Sequence, residues 1–240
     1  VTSVEGLLEA LARRPQTPGV ANPYAGPAGA WRRHNLRTYL ARTAPALALV
    51  GEAPGYRGCA VTGVPFTSRQ VLSADTGGWG LFEGQGFIAH EGLGRPWAEA
   101  TATLVWRHLP AALGALPGPP LLWNAFPFHP YSLRAEGAGA QRVGNRGLTR
   151  AEVEAGALYL RLVLDLFPGV QAVAVGRVAA QALARLGVTP LAALRHPAHG
   201  GATLFAEGLY GAGAALRLNT IATGPPLPAD AGAIGLTLEG

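Results

Sequence analysis

Three short stretches of this chain carry side chains able to do chemistry, and each follows an apolar run. The first is Gly51-Glu52-Ala53-Pro54-Gly55-Tyr56-Arg57-Gly58. Its glycines let backbone approach a ligand closely and aim N–H groups at it, and Glu52 adds a carboxylate. No Gly-Lys-Ser/Thr follows, so it is not a triphosphate loop, and it does not match a dinucleotide fingerprint. The second is Trp123-Asn124-Ala125-Phe126-Pro127-Phe128-His129-Pro130. An asparagine in an apolar run is costly unless its amide is satisfied. One acceptor and two donors suit the edge of a ring that carries a carbonyl beside an N–H. The third is Leu194-Arg195-His196-Pro197-Ala198-His199-Gly200-Gly201, where a histidine can donate a hydrogen bond to charge developing on a leaving group. A fourth feature is Phe66 in Gly63-Val64-Pro65-Phe66, an aromatic able to stack on a planar base for ~1–3 kcal/mol. Taken singly, these are equally a tight turn, a capping amide, a surface His-Pro loop and a core Phe.

The elements that must position them are legible from pattern. Apolar runs at Ala46–Val50, Leu121–Phe126, Val170–Val175 and Leu191–Leu194 read as buried strands. Between them lie helical stretches: Thr2-Ser3-Val4-Glu5 reads as a capping box opening a helix to Arg14, Trp31–Arg42 as a basic helix or extended arm, and Trp97–Leu109 as a helix. Thr149-Arg150-Ala151-Glu152 reads as a second capping box for a helix to Phe167, and helices are also expected at Arg177–Leu186 and from Ala202. Residues 51–66, 67–95 and 131–147 read as Gly-rich loops, and 224–240 as a Gly/Pro-rich tail. Strands alternating with helices imply an α/β fold, three layers with a central four-stranded, mainly parallel sheet. In such sheets sites form at the carboxyl ends of strands, where the three polar stretches fall.

Composition sets the class. Apolar residues make up 49% and charged residues 14% of the 240, a globular balance. All 19 basic residues are arginine, and the net charge of +5 suits a phosphate-bearing partner. One cysteine, Cys59, excludes an intramolecular disulfide and an all-cysteine metal or iron–sulfur site; it reads as a small buried or loop residue. Val1–Ala12 lacks the order of a signal peptide and no apolar run reaches ~18 residues, so no membrane and a cytoplasmic location are expected.

The three stretches in this order resemble the uracil-DNA glycosylase superfamily. Gly51-Glu52-Ala53-Pro54-Gly55 with Thr62-Gly63-Val64-Pro65-Phe66 is similar to the first motif of its thermostable bacterial and archaeal branch, Leu121-Leu122-Trp123-Asn124 to its base-reading strand, and His196-Pro197-Ala198 to its second motif. The resemblance implies one glycosylase-like domain over residues 1–240, a monomer acting on DNA that contains uracil or another deaminated base, with no cofactor. It implies that Phe66 stacks on the flipped base, Asn124 reads its edge, and His196 stabilises charge on uracil O2. The loop carrying Gly51, Ala53, Pro54, Gly55 and Tyr56 would hold the base and water, while Arg57, Arg195, His199 and Gly200 would face the DNA backbone. Leu204 and Phe205 are candidates for the wedge that enters the duplex. Three departures follow. The best-known branch has Asp where Ala53 stands, leaving Glu52 as the candidate for water. It has a thymine-excluding Tyr where Gly55 stands. The four cysteines of the thermostable branch's cluster are reduced to Cys59. Two alternatives stay open, a DNA binder of this fold without catalysis and a protein that handles free nucleotides.

Overall fold

The central strands form where burial on both faces is possible. The computed structural model describes residues 2–74, 79–82, 84–89, 98–114, 116, 118–136, 139–198 and 200–222. In chain order the elements are α1 (Val4–Arg13), β1 (Val20–Ala21), α2 (Ala30–Arg42), β2 (Leu47–Gly51), α3 (Cys59–Thr62), α4 (Arg69–Leu72), α5 (Ala100–Leu113), β3 (Leu121–Asn124), β4 (His129–Pro130), β5 (Ser132–Glu136), β6 (Gly139–Val143), α6 (Arg150–Asp165), β7 (Gln171–Val175), α7 (Arg177–Arg185), β8 (Ala192–Leu194) and α8 (Ala202–Ala222). The four expected strands are β2, β3, β7 and β8, all parallel, in the order β3-β2-β7-β8. Leu47 to Val50 of β2 and Leu121 to Trp123 of β3 are fully buried, which requires helices on both faces. On one side α7 packs on β7 and β2, α6 on α7, and α1 on α6 and α2; on the other α8 packs on β8 and α5. The three-layer α/β/α arrangement is therefore present.

Three details differ from the pattern reading. The α1 cap is Ser3, whose hydroxyl accepts from the Gly6 amide, rather than Thr2. With Ser3 as the cap, Glu5 stands one residue short of the box position, which Gly6 occupies, and its carboxylate is held at both oxygens by Arg37, at 2.6 and 2.8 Å. Helix α5 runs through Pro110 to Leu113; a proline near the end of a helix removes one bond without stopping the last turn. Residues 131–147, read as a loop, contain the antiparallel hairpin β5–β6, and β1 pairs with β4. β1 and β4 are two residues each, too short to show a period, and the five-residue alternation of β5 has no counterpart in β6. In the segment 67–95, Trp79 and Phe82 pack edge-on against Trp106 of α5, with centroids 6.4 and 5.0 Å apart. The tail 224–240 lies outside the described residues.

The capping box at Thr149 and Glu152 is present, and it anchors more than its helix. Arg146 donates to Glu152 Oε2 at 2.8 Å and to the Gly19 carbonyl at 2.9 Å, so one ion pair ties the start of α6 to the turn before β1. The Arg146 guanidinium holds the Glu152 carboxyl down at about 2, against an ordinary 4.5. A carboxyl depressed in the folded state contributes its full stability above about pH 4.5 and loses it as pH falls toward about 2. Glu152→Gln is expected to lower stability by about 1–2 kcal/mol at pH 7 and to flatten the fall in thermal midpoint between about pH 5 and 2. Melts of both proteins at several pH values check this; parallel curves would remove the ion pair from the account.

Candidate active site

The carboxyl ends of β2, β3 and β8 open onto one cavity of about 110 Å³. That is far below the ~300–1,000 Å³ of sites for drug-sized ligands, so it fits a single small ring. Glu52, Ala53, Gly55, Phe66, Asn124 and His196 line it. Register explains the first contact, because Gly51 is paired directly with Asn124 across the parallel ladder.

Phe66 occupies this corner under constraint. It is the one described non-glycine residue with positive φ, at 53°, a conformation that costs an L-residue energy and persists only when its surroundings hold it. Two features hold it. Trp106 Nε1 donates to the Phe66 carbonyl at 3.0 Å. The turn before it is folded around the Val64 carbonyl, which accepts from Thr62 Oγ1 at 3.1 Å and from Thr67 Oγ1 at 2.7 Å. The ring then lies against Gly51, where an added Cβ would sit 2.4 Å from Phe66 Cζ and 3.2 Å from Asn124 Oδ1. Only glycine admits that approach.

Asn124 is 4% exposed, and its amide nitrogen donates to Cys59 Sγ at 3.8 Å. Cys59, read from sequence as bland, lines the cavity at the start of α3. On the opposite wall the Ala198 amide donates to His196 Nδ1 at 3.1 Å. An N–H can only donate, so Nδ1 carries the lone pair and the ring proton sits on Nε2. The loop closes tightly behind this histidine, since a Cβ on Gly201 would lie 2.1 Å from the His196 carbonyl. Glu52 Oε1 accepts from the Leu148 amide at 3.4 Å.

The other expected residues stand around this wall. Pro54 accepts at its carbonyl from His129 Nδ1 at 2.9 Å. Tyr56 is 44% exposed, with the Arg57 guanidinium 5.1 Å above its ring. Arg57, Arg195 and Gly200 are exposed and His199 lies outside the described residues. Of the wedge candidates, Phe205 is fully buried and so cannot enter DNA, whereas Leu204 is exposed.

Pattern reading missed Glu99, Thr67, Thr101 and Asn145, which also line the cavity. Glu99 caps α5, its two oxygens accepting from the Thr101 and Ala102 amides at 3.1 and 2.7 Å. Glutamate is outside the usual capping set, so sequence carried no signal for it. Asn145 accepts from the Tyr56 amide at 3.0 Å and comes from the hairpin region that was read as loop.

No family model and no curated protein matches the chain. A solved structure does. Wild-type SMUG2 from Pedobacter heparinus matches it with a TM-score of 0.62 over 90% of this chain and 98% of that one, at 16% identity. The chain shares the fold of that protein.

Within this fold the corner of the cavity formed by Phe66 and Asn124 depends on the bare Gly51 position. Gly51→Ala is expected to displace the Phe66 ring, narrow the cavity and lower stability by about 1–3 kcal/mol. Urea denaturation and a crystal structure of the variant test this. An unmoved ring with unchanged stability would mean that the approach is not tight.

Proposed function

We propose that this chain is a DNA glycosylase, one unit over residues 1–240 and a monomer, that takes a flipped-out uracil or related deaminated base and hydrolyses its N-glycosidic bond. The observation that carries the reading is the convergence of a stacking ring, a buried amide, a neutral imidazole and a carboxylate on one ring-sized cavity. Flipping costs a few kcal/mol, less at a mismatch. Phe66 covers the face of the base and Asn124 meets its edge. As the bond from C1′ to nitrogen breaks, the electron pair passes to the base and gathers partly on O2, where His196 Nε2–H donates a hydrogen bond. Water held by Glu52 adds to C1′ and loses its proton to that carboxylate. Free base and an abasic site result. Arg57, Arg195, His199 and Gly200 are assigned to the phosphate backbone.

Ala53 favours a second reading, a DNA binder of this fold without catalysis. Its methyl lines the cavity where the best-known branch, by resemblance, has a carboxylate. One assay separates the two. Labelled oligonucleotides with a single uracil, single-stranded or opposite G or A, are incubated and treated with alkali. Wild type is expected to break them. His196→Ala should lower the rate about 10²–10³-fold, and Asn124→Ala about tenfold or more. Binding without breaks supports the second reading, and variants that cleave like wild type refute these roles.

A further inference from the structure

Behind the cavity wall runs a chain of four polar groups whose direction is set at its far end. The Gly63 carbonyl can only accept, so the Tyr24 hydroxyl donates to it, at 3.0 Å. With its one proton committed, Tyr24 Oη can only accept from Cys59 Sγ, 3.9 Å away. The thiol proton therefore points at the phenol. Sulfur lone pairs are what remain for Asn124, 3.8 Å off, so the amide must turn its nitrogen to Cys59. Tyr24 and Cys59 are 0% and 3% exposed. Burial pushes the Tyr24 phenol well up and the Cys59 thiol to about 12, so both keep the protons the chain needs at neutral pH.

The cavity end of the chain is independent of that logic. Asn124 is buried, it lines the cavity, and among the described residues its Oδ1 accepts no hydrogen bond. The edge left for a ligand is thus an acceptor, Oδ1, beside the second amide N–H. Reversing the amide would set Oδ1 against the sulfur lone pairs or strip Tyr24 of its donor. A ring edge with a carbonyl beside an N–H is complementary to the observed amide. An edge with an amino group beside a bare nitrogen, as in cytosine, needs the reverse.

We propose that Tyr24 and Cys59 are positioning residues that lock the amide of Asn124 in one orientation and thereby make the site prefer a deaminated base over its amino-bearing parent. This rests on the glycosylase reading for its substrate, while the orientation itself stands on the hydrogen bonds alone. Two measurements keep these apart. The first is the ratio of uracil to cytosine cleavage under enzyme excess by the full chain and its variants. Cys59→Ala and Tyr24→Phe should each lower uracil cleavage about 3–10-fold and narrow the ratio. Cys59→Ser, which keeps one donor and lone pairs, should recover the ratio. General damage to the fold would lower both substrates together and leave the ratio unchanged. The second is an NMR contact between an Asn124 side-chain amide proton and Cys59 Hβ in ¹⁵N-labelled wild type. Cleavage of uracil with an unchanged ratio in both Cys59→Ala and Tyr24→Phe overturns the proposal and leaves the glycosylase reading intact. If wild type cleaves neither base, that reading fails, and the amide contact alone then supports or, by its absence, overturns the locked orientation.

Discussion

One position without a side chain sets the geometry of the site. Gly51 ends β2 opposite Asn124, and the Phe66 ring fills the volume that any Cβ would claim. Aromatic ring and amide are thus brought to one corner by a parallel ladder on one side and a strained turn on the other. The turn could not hold itself. Its φ of 53° at Phe66 is sustained by an indole bond from α5 and by two threonine hydroxyls converging on one carbonyl. Such over-determination is how a costly backbone conformation persists.

The electrostatics of the site follow from hydrogen-bond direction rather than from charge. His196 is set as a donor through Nε2 by an amide that can only donate to Nδ1. Asn124 is set by a carbonyl that can only accept, three groups away. Fixed dipoles of this kind cost no reorganisation when charge moves. Carboxylates enter at the margin: Glu99 is committed at both oxygens to the start of α5, while Glu52 accepts one long bond from Leu148.

Much of this was legible in the sequence, for physical reasons that name its limits. The four sheet strands are short runs of apolar residues because both their faces are covered, and covered strands announce themselves. Asn124 stood out as an amide in such a run, and His196 and Glu52 stood out at strand ends. Glu99 did not, because its place in the cavity depends on which way α5 enters the fold. Cys59 did not, because a lone buried thiol looks the same whether it faces packing or an amide. The hairpin β5–β6 escaped because the short alternation of β5 has no counterpart in β6, and Phe205 was misjudged because its register on α8 turns it inward while Leu204 faces out.

Trp106 gives the site a reach greater than its walls. Its indole nitrogen holds the Phe66 carbonyl while its ring receives Trp79 and Phe82 edge-on, and Phe82 in turn packs on Phe87 with centroids 5.2 Å apart. The segment carrying those aromatics sits among the Gly-rich stretches that look most expendable in the chain. Through one shared indole it buttresses the strained turn from behind. Shortening that region would accordingly disturb the Phe66 corner of the cavity, although none of Trp79, Phe82 and Phe87 lines it.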